Sequence, residues 1–208
     1  NEMPESEQFF TEFREANPDK IQPADIVVTS NFDESEAEED KLEEQREVGN
    51  YVPEHFTHLH VHSHYSILDG MSKVPDLVDK CIKNGMYSIA LTDHGNMFGI
   101  KEFADYVNKV NKELPEGSPK FKPIYGIETY CAPVSISKRD GRQDRGWHLI
   151  LLAKNKQGYH SLCKLSSIAY TDGFYYNPRI DHSLLEKYHE GLVCCSACLG
   201  GELPQKIQ

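Results

Sequence analysis

From about residue 55 onward, short apolar runs alternate with segments whose apolar residues recur at helical spacing. The runs are rich in β-branched residues or bounded by turn residues, which favours strands. Successive runs begin roughly 25 to 43 residues apart, the size of a strand–helix–strand unit. The pattern predicts an α/β domain with a parallel sheet, either closed as a barrel or open. The predicted strands are Phe56–His62, Ser88–Thr92, Pro123–Tyr130, His148–Ala153 and Gly191–Ser196.

Four helices are predicted between these strands. The first has Pro75 near its start and Gly85 just past its end, both of which are typical of helix boundaries. The apolar residues that mark the helices are Val74, Leu77, Val78, Cys81 and Ile82; Ile100, Phe103, Ala104 and Val107; Leu162, Leu165, Ile168 and Ala169; and Leu184 with Leu185.

The first 54 residues differ from the rest in charge. Residues 1–47 carry 16 acidic and 4 basic side chains, which leaves 17 acidic and 18 basic for residues 48–208. Within residues 33–50 the acidic run has too few apolar residues to offset the entropy of ordering the chain. We therefore expect residues 1–54 to be a mostly disordered acidic extension and residues 55–208 to be the folded domain. The nearly neutral domain neither requires nor excludes a nucleic-acid partner.

The composition favours a cytoplasmic protein. No apolar run approaches the roughly 18 residues of a membrane span, and no secretory signal is visible at the start. Six cysteines are too sparse for a disulfide framework, so reduced thiols are expected. Cys195 and Cys198 have C-x-x-C spacing, which leaves a redox motif open. The chain begins without Met and ends without a stop-like feature, which suggests a fragment of a longer protein.

Histidines are concentrated at the start of the predicted domain. Five of the ten lie within residues 55–64. On a strand, His58, His60 and His62 would project to one face, with Leu59 and Val61 on the other. A solvated polar edge would explain a single histidine. Three imidazoles that alternate with apolar residues favour metal ligation.

Other candidate ligands stand near the ends of predicted strands. His94, Glu128 and Cys198 each lie at or just after a strand, whereas His148 opens its strand. Side chains at the C-terminal ends of parallel strands converge on one edge, where α/β folds place their active sites. Taken alone, each residue could have a purely structural role, as a rim carboxylate, a core imidazole or a buried thiol. Together they strengthen the prediction of a metal centre.

This ligand chemistry indicates a class of reaction. Imidazole, carboxylate and thiolate donors suit zinc, manganese or iron better than magnesium or calcium. A pair of cations bridged by a carboxylate can clamp a phosphoryl group and activate a water molecule. Phosphoester hydrolysis is therefore the leading hypothesis, and no P-loop, Gly-x-Ser-x-Gly motif or dinucleotide fingerprint competes with it.

Five motifs in order resemble the PHP (polymerase and histidinol phosphatase) superfamily. They lie at residues 56–70, 90–99, 122–130, 147–149 and 196–202. The similarity covers about residues 55–208 and is strongest to the branch found in the alpha subunits of bacterial replicative DNA polymerases. Asp69 and Cys198 stand where the phosphatase branch usually has histidines, which matches the polymerase branch.

The resemblance implies a distorted (β/α)7 barrel with up to three divalent metal ions at its mouth. By this pattern Glu128 bridges two ions, and His58 has a structural role instead of being a ligand. An Asp-x-His ligand pair from a later strand has no counterpart before Gln208, so the domain is expected to lack its last strands. The implied metal ligands are His60, His62, Asp69, His94, Glu128, His148 and Cys198.

The resemblance also implies a function in DNA replication. In some members of this branch the domain is a metal-dependent 3′–5′ exonuclease that proofreads, and in others the ligands are lost and it is a scaffold or a docking surface for a separate proofreading subunit. Because every ligand position within range is filled here, the resemblance favours metal binding with proofreading potential. The partners would be the primer 3′ end of DNA, the rest of the polymerase chain and other replisome subunits. Two alternatives remain: a free-standing phosphoesterase for small phosphate esters and a non-catalytic structural module. Basic residues before His148 are candidates for contacts with DNA phosphates, or form a solvated loop: Lys138, Arg139, Arg142 and Arg145.

Overall fold

The computed structural model describes residues 56–207. The acidic extension predicted for residues 1–54 lies outside this range. Within it, five strands and five helices alternate. The strands are β1 (Ser88–Leu91), β2 (Lys122–Cys131), β3 (Trp147–Ala153), β4 (Arg179–Ile180) and β5 (Leu192–Cys195). The helices are α1 (Val74–Lys83), α2 (Ile100–Glu113), α3 (Lys156–Thr171), α4 (His182–Tyr188) and α5 (Glu202–Ile207), with a 3₁₀ turn at Arg142–Arg145.

The strands form one mixed sheet in the order β1-β2-β3-β5. β1 and the short β4 both pair with β2 in parallel, at different points along its ten residues. β3 runs antiparallel to β2, and β5 runs antiparallel to β3. The prediction of an α/β fold is confirmed, but the prediction of an all-parallel sheet is wrong for β3. A period-2 pattern is the same in either direction, so the sequence did not reveal this reversal.

Alternation along the strands divides their side chains between two faces. Ile127 of β2 and Leu151 of β3 pair in register and pack beneath Leu162 and Leu165 of α3. In the same way Ile89 and Leu91 of β1 pack against α1 and α2. The opposite face carries Ala90, Ile150 and Leu152, and also Glu128, which pairs in register with Ile150. The helices therefore cover one face, and the other is left for the candidate ligands.

The boundaries of α1 follow the predicted signals, and two other helices begin at side-chain caps. α1 has a proline in its first turn and is followed by Gly85 at φ +73°, a conformation that glycine adopts without strain. α3 begins at Asn155, whose side chain accepts a hydrogen bond from the Gly158 amide at 2.9 Å. Asp181 caps α4 in the same way through the Leu184 amide. None of the helices within residues 56–207 is long and apolar enough to cross a membrane.

The predicted first strand is not a regular strand. Of its residues only His58 makes a bridge, to Ile89 of β1, and the chain bends at the next two residues. The backbone oxygens of His58 and Val61 accept hydrogen bonds from Ala90 and Thr92. The Val61 amide is held by the Thr92 hydroxyl at 2.8 Å, which interrupts the backbone ladder. β4 and α5 were not predicted, because two and six residues are too short to show a period.

Replacing Gly158 with alanine is expected to destabilise the domain. In an exposed helix this change would stabilise by about 1 kcal/mol. Here an added Cβ would lie 1.8 Å from the Gly191 carbonyl oxygen, so either α3 or the turn before β5 must move. We expect a loss of about 1–3 kcal/mol in the free energy of unfolding. Urea denaturation of G158A beside Gln157→Ala, an exposed neighbour in α3, measures it, and equal stability of the two would contradict this packing.

Candidate metal centre

A fully buried carboxylate lies at the middle of the open face of the sheet. Glu128 is 0% exposed and belongs to the half of β2 that pairs with β3. Its strand places it among apolar neighbours, where an unpartnered carboxylate is very unfavourable. The groups around Glu128 therefore decide whether the site is stable.

Four imidazoles surround this carboxylate. The Oε1 atom lies 3.3 Å from His60 Nε2 and 2.9 Å from His148 Nδ1. The Oε2 atom lies 3.4 Å from His62 Nε2 and 2.5 Å from His94 Nδ1. The histidines come from three separate segments of the chain, and the structure brings all of them to one carboxylate, as the sequence predicted.

The direction of β3 explains how His148 reaches the centre. Because β3 is antiparallel to β2, its N-terminal end lies at the same edge as the C-terminal end of β2. His148 pairs with Tyr130, two residues along the same face from Glu128. His94 reaches this edge from the other side, directly after β1, and makes a parallel bridge to Glu128. The reversal of β3 thus explains why His148 lies at the same edge as the other candidate ligands although it opens its strand.

The His60 and His62 side chains face each other across 3.0 Å between their Nε2 atoms. The sequence placed His58 on the same face, but its ring instead packs edge-on against Phe56, with the centroids 4.7 Å apart. The irregular backbone of this segment breaks the expected alternation. His58 therefore lies apart from the group around Glu128.

Asp69 and Cys198 lie at the margin of the centre. The Asp69 carboxylate is exposed, and its Oδ2 atom lies 2.7 Å from His94 Nε2. Cys198 Sγ lies 3.4 Å from His148 Nδ1 and accepts from the Gly200 amide. Three groups within residues 56–207 have ligand atoms all within 4.8 Å of one another: His60, His62 and Glu128; His62, Asp69 and His94; and His94, Glu128 and His148. Cys198 belongs to none of these groups.

The geometry fits a metal ion better than a hydrogen-bonded cluster. Both Glu128 oxygens are buried and, among the described residues, no donor reaches them in hydrogen-bond geometry. The distances among His60, His62 and Glu128 are 3.0, 3.3 and 3.4 Å. Two ligands on a tetrahedral zinc ion, each about 2.0–2.1 Å from it, lie about 3.3 Å apart. The six imidazole and carboxylate residues of the three groups thus match the donor chemistry of zinc, manganese or iron.

The electrostatics of the centre favour an ionised Glu128. Burial by itself raises the pKa of Glu128. The interactions with His148 and His94 lower it by more than burial raises it, so the pKa lies well below its usual range. The contact with Glu128 raises the pKa of His94. Burial, followed by the charge of His94, lowers the pKa of His62. The centre therefore provides a permanent negative charge next to at least one imidazole that is easily neutral, as metal ligation requires.

The predicted phosphate-binding residues lie in the segment between β2 and β3. Lys138, Arg139 and Arg142 are exposed, and Arg145 is half-buried. Arg139 donates to the Asp172 carbonyl, and the Arg145 guanidinium lies 4.3 Å from the ring centroid of Tyr176. Lys138 lies 3.9 Å from Asp140.

The sequence reasoning missed Tyr130 at this site. Its ring lies beside two candidate ligands, with its centroid 6.4 Å from that of His94 and 5.2 Å from that of His148. Burial, then the charge of Glu128, raises the pKa of its hydroxyl. The signal that could have found it is the period of two along β2, since Tyr130 shares a face with Glu128.

Comparison with known proteins identifies the family. Residues 58–208 match the PHP domain. The chain is 51% identical over 154 residues to the DNA polymerase III subunit alpha of Borreliella burgdorferi, covering 73% of this chain and 13% of that protein. The subunit of Treponema pallidum is 48% identical, with 72% and 12% covered, and that of Deinococcus radiodurans 41% identical, with 74% and 12% covered.

The chain thus spans only about an eighth of the length of these curated relatives. A crystal structure of a protein from Bifidobacterium adolescentis superposes with a TM-score of 0.35 at 18% identity, over 57% of this chain and 35% of that one. This superposition is too partial to bear on the fold. The sequence match covers nearly all of the described residues and every candidate ligand, and on that ground this chain belongs to the PHP domain family.

Proposed function

We propose that this chain is the PHP domain of a bacterial DNA polymerase III alpha subunit and that it hydrolyses phosphodiester bonds at the primer 3′ end. The observation that carries the proposal is the buried Glu128 carboxylate with four imidazole nitrogens within 3.4 Å. The relatives at 41–51% identity support the polymerase assignment. The domain would work in the cytoplasm, in agreement with six free thiols.

The residues that would hold the ions are the seven predicted ones. His60, His62 and Glu128 would hold one ion, and Glu128, His148 and Cys198 a second. Asp69 and His94 would contribute to a third. Bound zinc, manganese or iron would polarise the phosphoryl group and lower the pKa of a water molecule. The proposed fold around this site is the distorted (β/α)7 barrel that the family pattern implies.

An aromatic strip beside the centre supports a polynucleotide substrate over a small phosphate ester. It consists of Phe98, Tyr170 and Phe174, which are 61%, 41% and 50% exposed. The ring centroids of Phe98 and Phe174 lie 6.2 and 6.3 Å from that of Tyr170. Exposed rings bind unpaired bases by stacking, at about 1–3 kcal/mol for each base.

The basic segment before β3 would bind the phosphates of the same strand. Lys138, Arg139 and Arg142 are exposed, and Arg145 stacks on the Tyr176 ring. A cation beside an aromatic ring is a common pair in binding sites for single-stranded nucleic acids. The rest of the polymerase chain and a separate proofreading subunit are further proposed partners.

The test is a nuclease assay on the full-length subunit that carries this chain. With Mn²⁺ or Zn²⁺, the wild-type protein should remove a mismatched 3′ nucleotide from a primer, and Glu128→Ala should not. Tyr170→Ala should raise KM for the primer about tenfold, the loss of one stacked base, without changing hydrolysis of p-nitrophenyl phosphate. Tyr87→Ala, at the opposite edge of the sheet before β1, serves as the matched control.

Three outcomes would contradict the proposal. Equal degradation by the wild-type and Glu128→Ala proteins would indicate a contaminating nuclease. Hydrolysis of p-nitrophenyl phosphate without preference for DNA ends would indicate a phosphoesterase for small esters. Metal binding without hydrolysis of either substrate would indicate a structural or docking module.

A further inference from the structure

A buried hydrogen-bond network joins Asp93 to the candidate ligand His62 through Ser66. Ser66 is buried in the turn after the histidine segment, and its Oγ atom lies 2.6 Å from Asp93 Oδ1. The same oxygen lies 3.0 Å from His62 Nδ1 and accepts a hydrogen bond from the His94 amide, also at 3.0 Å. Asp93 is buried as well and accepts from the amide and the hydroxyl of Ser63.

Counting the protons in this network shows which hydrogen-bonding role Nδ1 of His62 has. A carboxylate has only acceptors, so the contact between Asp93 and Ser66 requires Ser66 to donate its single hydroxyl proton there. The His94 amide can only donate, and it uses one lone pair of the Ser66 oxygen. The contact with His62 Nδ1 is then favourable only if this nitrogen carries a proton and donates it to Ser66.

We propose that Ser66, anchored by Asp93, is a positioning residue that holds His62 in the tautomer with a proton on Nδ1 and a free lone pair on Nε2. This inference rests on the proposed function, because it assigns to His62 the ligand state that metal binding needs. Groups that orient metal-bound histidines in this way change metal affinity by roughly 10–100-fold.

The free lone pair would face other acceptors. His62 Nε2 lies 3.4 Å from Glu128 Oε2. With the proton on Nδ1, two acceptor atoms meet in a half-buried site, an arrangement that a cation between them makes favourable. Ser66 also fixes the backbone of His94, so one hydroxyl positions two of the candidate ligands.

Ser63 provides a matched control in the same network. Its hydroxyl donates to Asp93 Oδ2 at 2.8 Å, as that of Ser66 does to Oδ1. Its oxygen accepts from the Tyr65 amide, and among the described residues its hydroxyl makes no hydrogen bond to a candidate ligand. Ser63→Ala therefore removes a buried hydroxyl bound to Asp93 without removing the contact with His62.

The experiment has two readouts on this chain. The first is the tautomer of each histidine ring, read from two-bond ¹H–¹⁵N spectra. The wild-type protein is labelled at histidine, freed of metal and held at about pH 8, where a typical imidazole is neutral. The spectrum of His62→Gln identifies the His62 signal. Second, titration with Mn²⁺ and with Zn²⁺ compares the wild-type protein with Ser66→Ala and Ser63→Ala. We expect the Nδ1–H form for His62, an affinity about 10–100-fold lower for Ser66→Ala, and a change of less than about threefold for Ser63→Ala.

A proton on Nε2 of His62 in the wild-type protein would overturn the proposal, whether or not the variants fold. Equal losses of affinity in the two serine variants would overturn it too, because they would indicate a general disturbance around Asp93. If no variant and no wild-type protein binds either metal, the proposed function fails. The tautomer readout would still decide whether Ser66 orients His62.

Discussion

Replacing Glu128 with glutamine is expected to remove nearly all bound metal without unfolding the domain. Glu128 belongs to two of the three groups of ligands that lie within 4.8 Å of one another. The amide has nearly the same shape, but it lacks the charge and one of the two acceptor oxygens. Since loss of a residue that merely orients a ligand costs roughly 10–100-fold in affinity, loss of this shared ligand should cost more than about 100-fold.

Thermal unfolding should separate the loss of metal from the loss of fold. At a metal concentration of about 100 times Kd, metal binding should raise the free energy of unfolding of the wild-type protein by about 2.7 kcal/mol. It should leave that of the variant almost unchanged. Without metal, the variant should remain folded and lose at most the stability that the ionised carboxylate gains from His148 and His94.

Glu202→Gln is the matched control. Its carboxylate also contacts a histidine, His182 at 3.1 Å, but it forms a peripheral pair with Lys206 at 2.6 Å. Elemental analysis after dialysis should find wild-type metal content in this variant and little in Glu128→Gln. Full metal content in Glu128→Gln would refute the central role of this carboxylate.

Replacing Arg179 with lysine is expected to give the largest loss of stability. Arg179 is 0% exposed, and its guanidinium donates to four backbone carbonyl oxygens. Three of these belong to the segment between β2 and β3, and the fourth to the turn after α3. The four acceptors, at 2.5–2.9 Å, are those of Ile136, Lys138, Asp144 and Gly173.

Lysine keeps the charge but has one nitrogen on a flexible chain, so it cannot reach acceptors spread around a planar fork. Hydrogen bonds to charged groups contribute about 1.5–3 kcal/mol each, and a buried carbonyl without a partner is unfavourable. Lysine can replace some of the four hydrogen bonds. We therefore expect the free energy of unfolding to fall by about 3–5 kcal/mol and the Tm to fall by roughly 10 °C. The segment leads into β3, so the metal affinity of His148 should fall as well.

Differential scanning calorimetry checks this prediction against Arg142→Lys, a change at an exposed arginine of the same segment. The control should lie within about 0.5 kcal/mol of the wild type. If R179K and R142K were equally stable, the guanidinium would not be holding this segment in place.

The described residues show which parts of this molecule are visible in sequence. The helices α1 to α3 were predicted because their apolar residues recur at helical spacing, and α4 was predicted from Leu184 and Leu185 alone. The candidate ligands were visible because several imidazoles near residue 60 alternate with apolar residues. Arg179 was not predicted, because arginine is rarely fully buried and nothing local marks its four carbonyl partners.

The sequence by itself determined the chemistry of the centre: imidazole, carboxylate and thiol groups at the ends of elements in an α/β domain. The tertiary structure decided how they meet. The reversal of β3 brings His148 to Glu128, and an irregular segment turns His58 away from the other histidines. The physical reason is that local periodicity records which face of an element is buried, whereas strand direction depends on contacts between residues far apart in the chain.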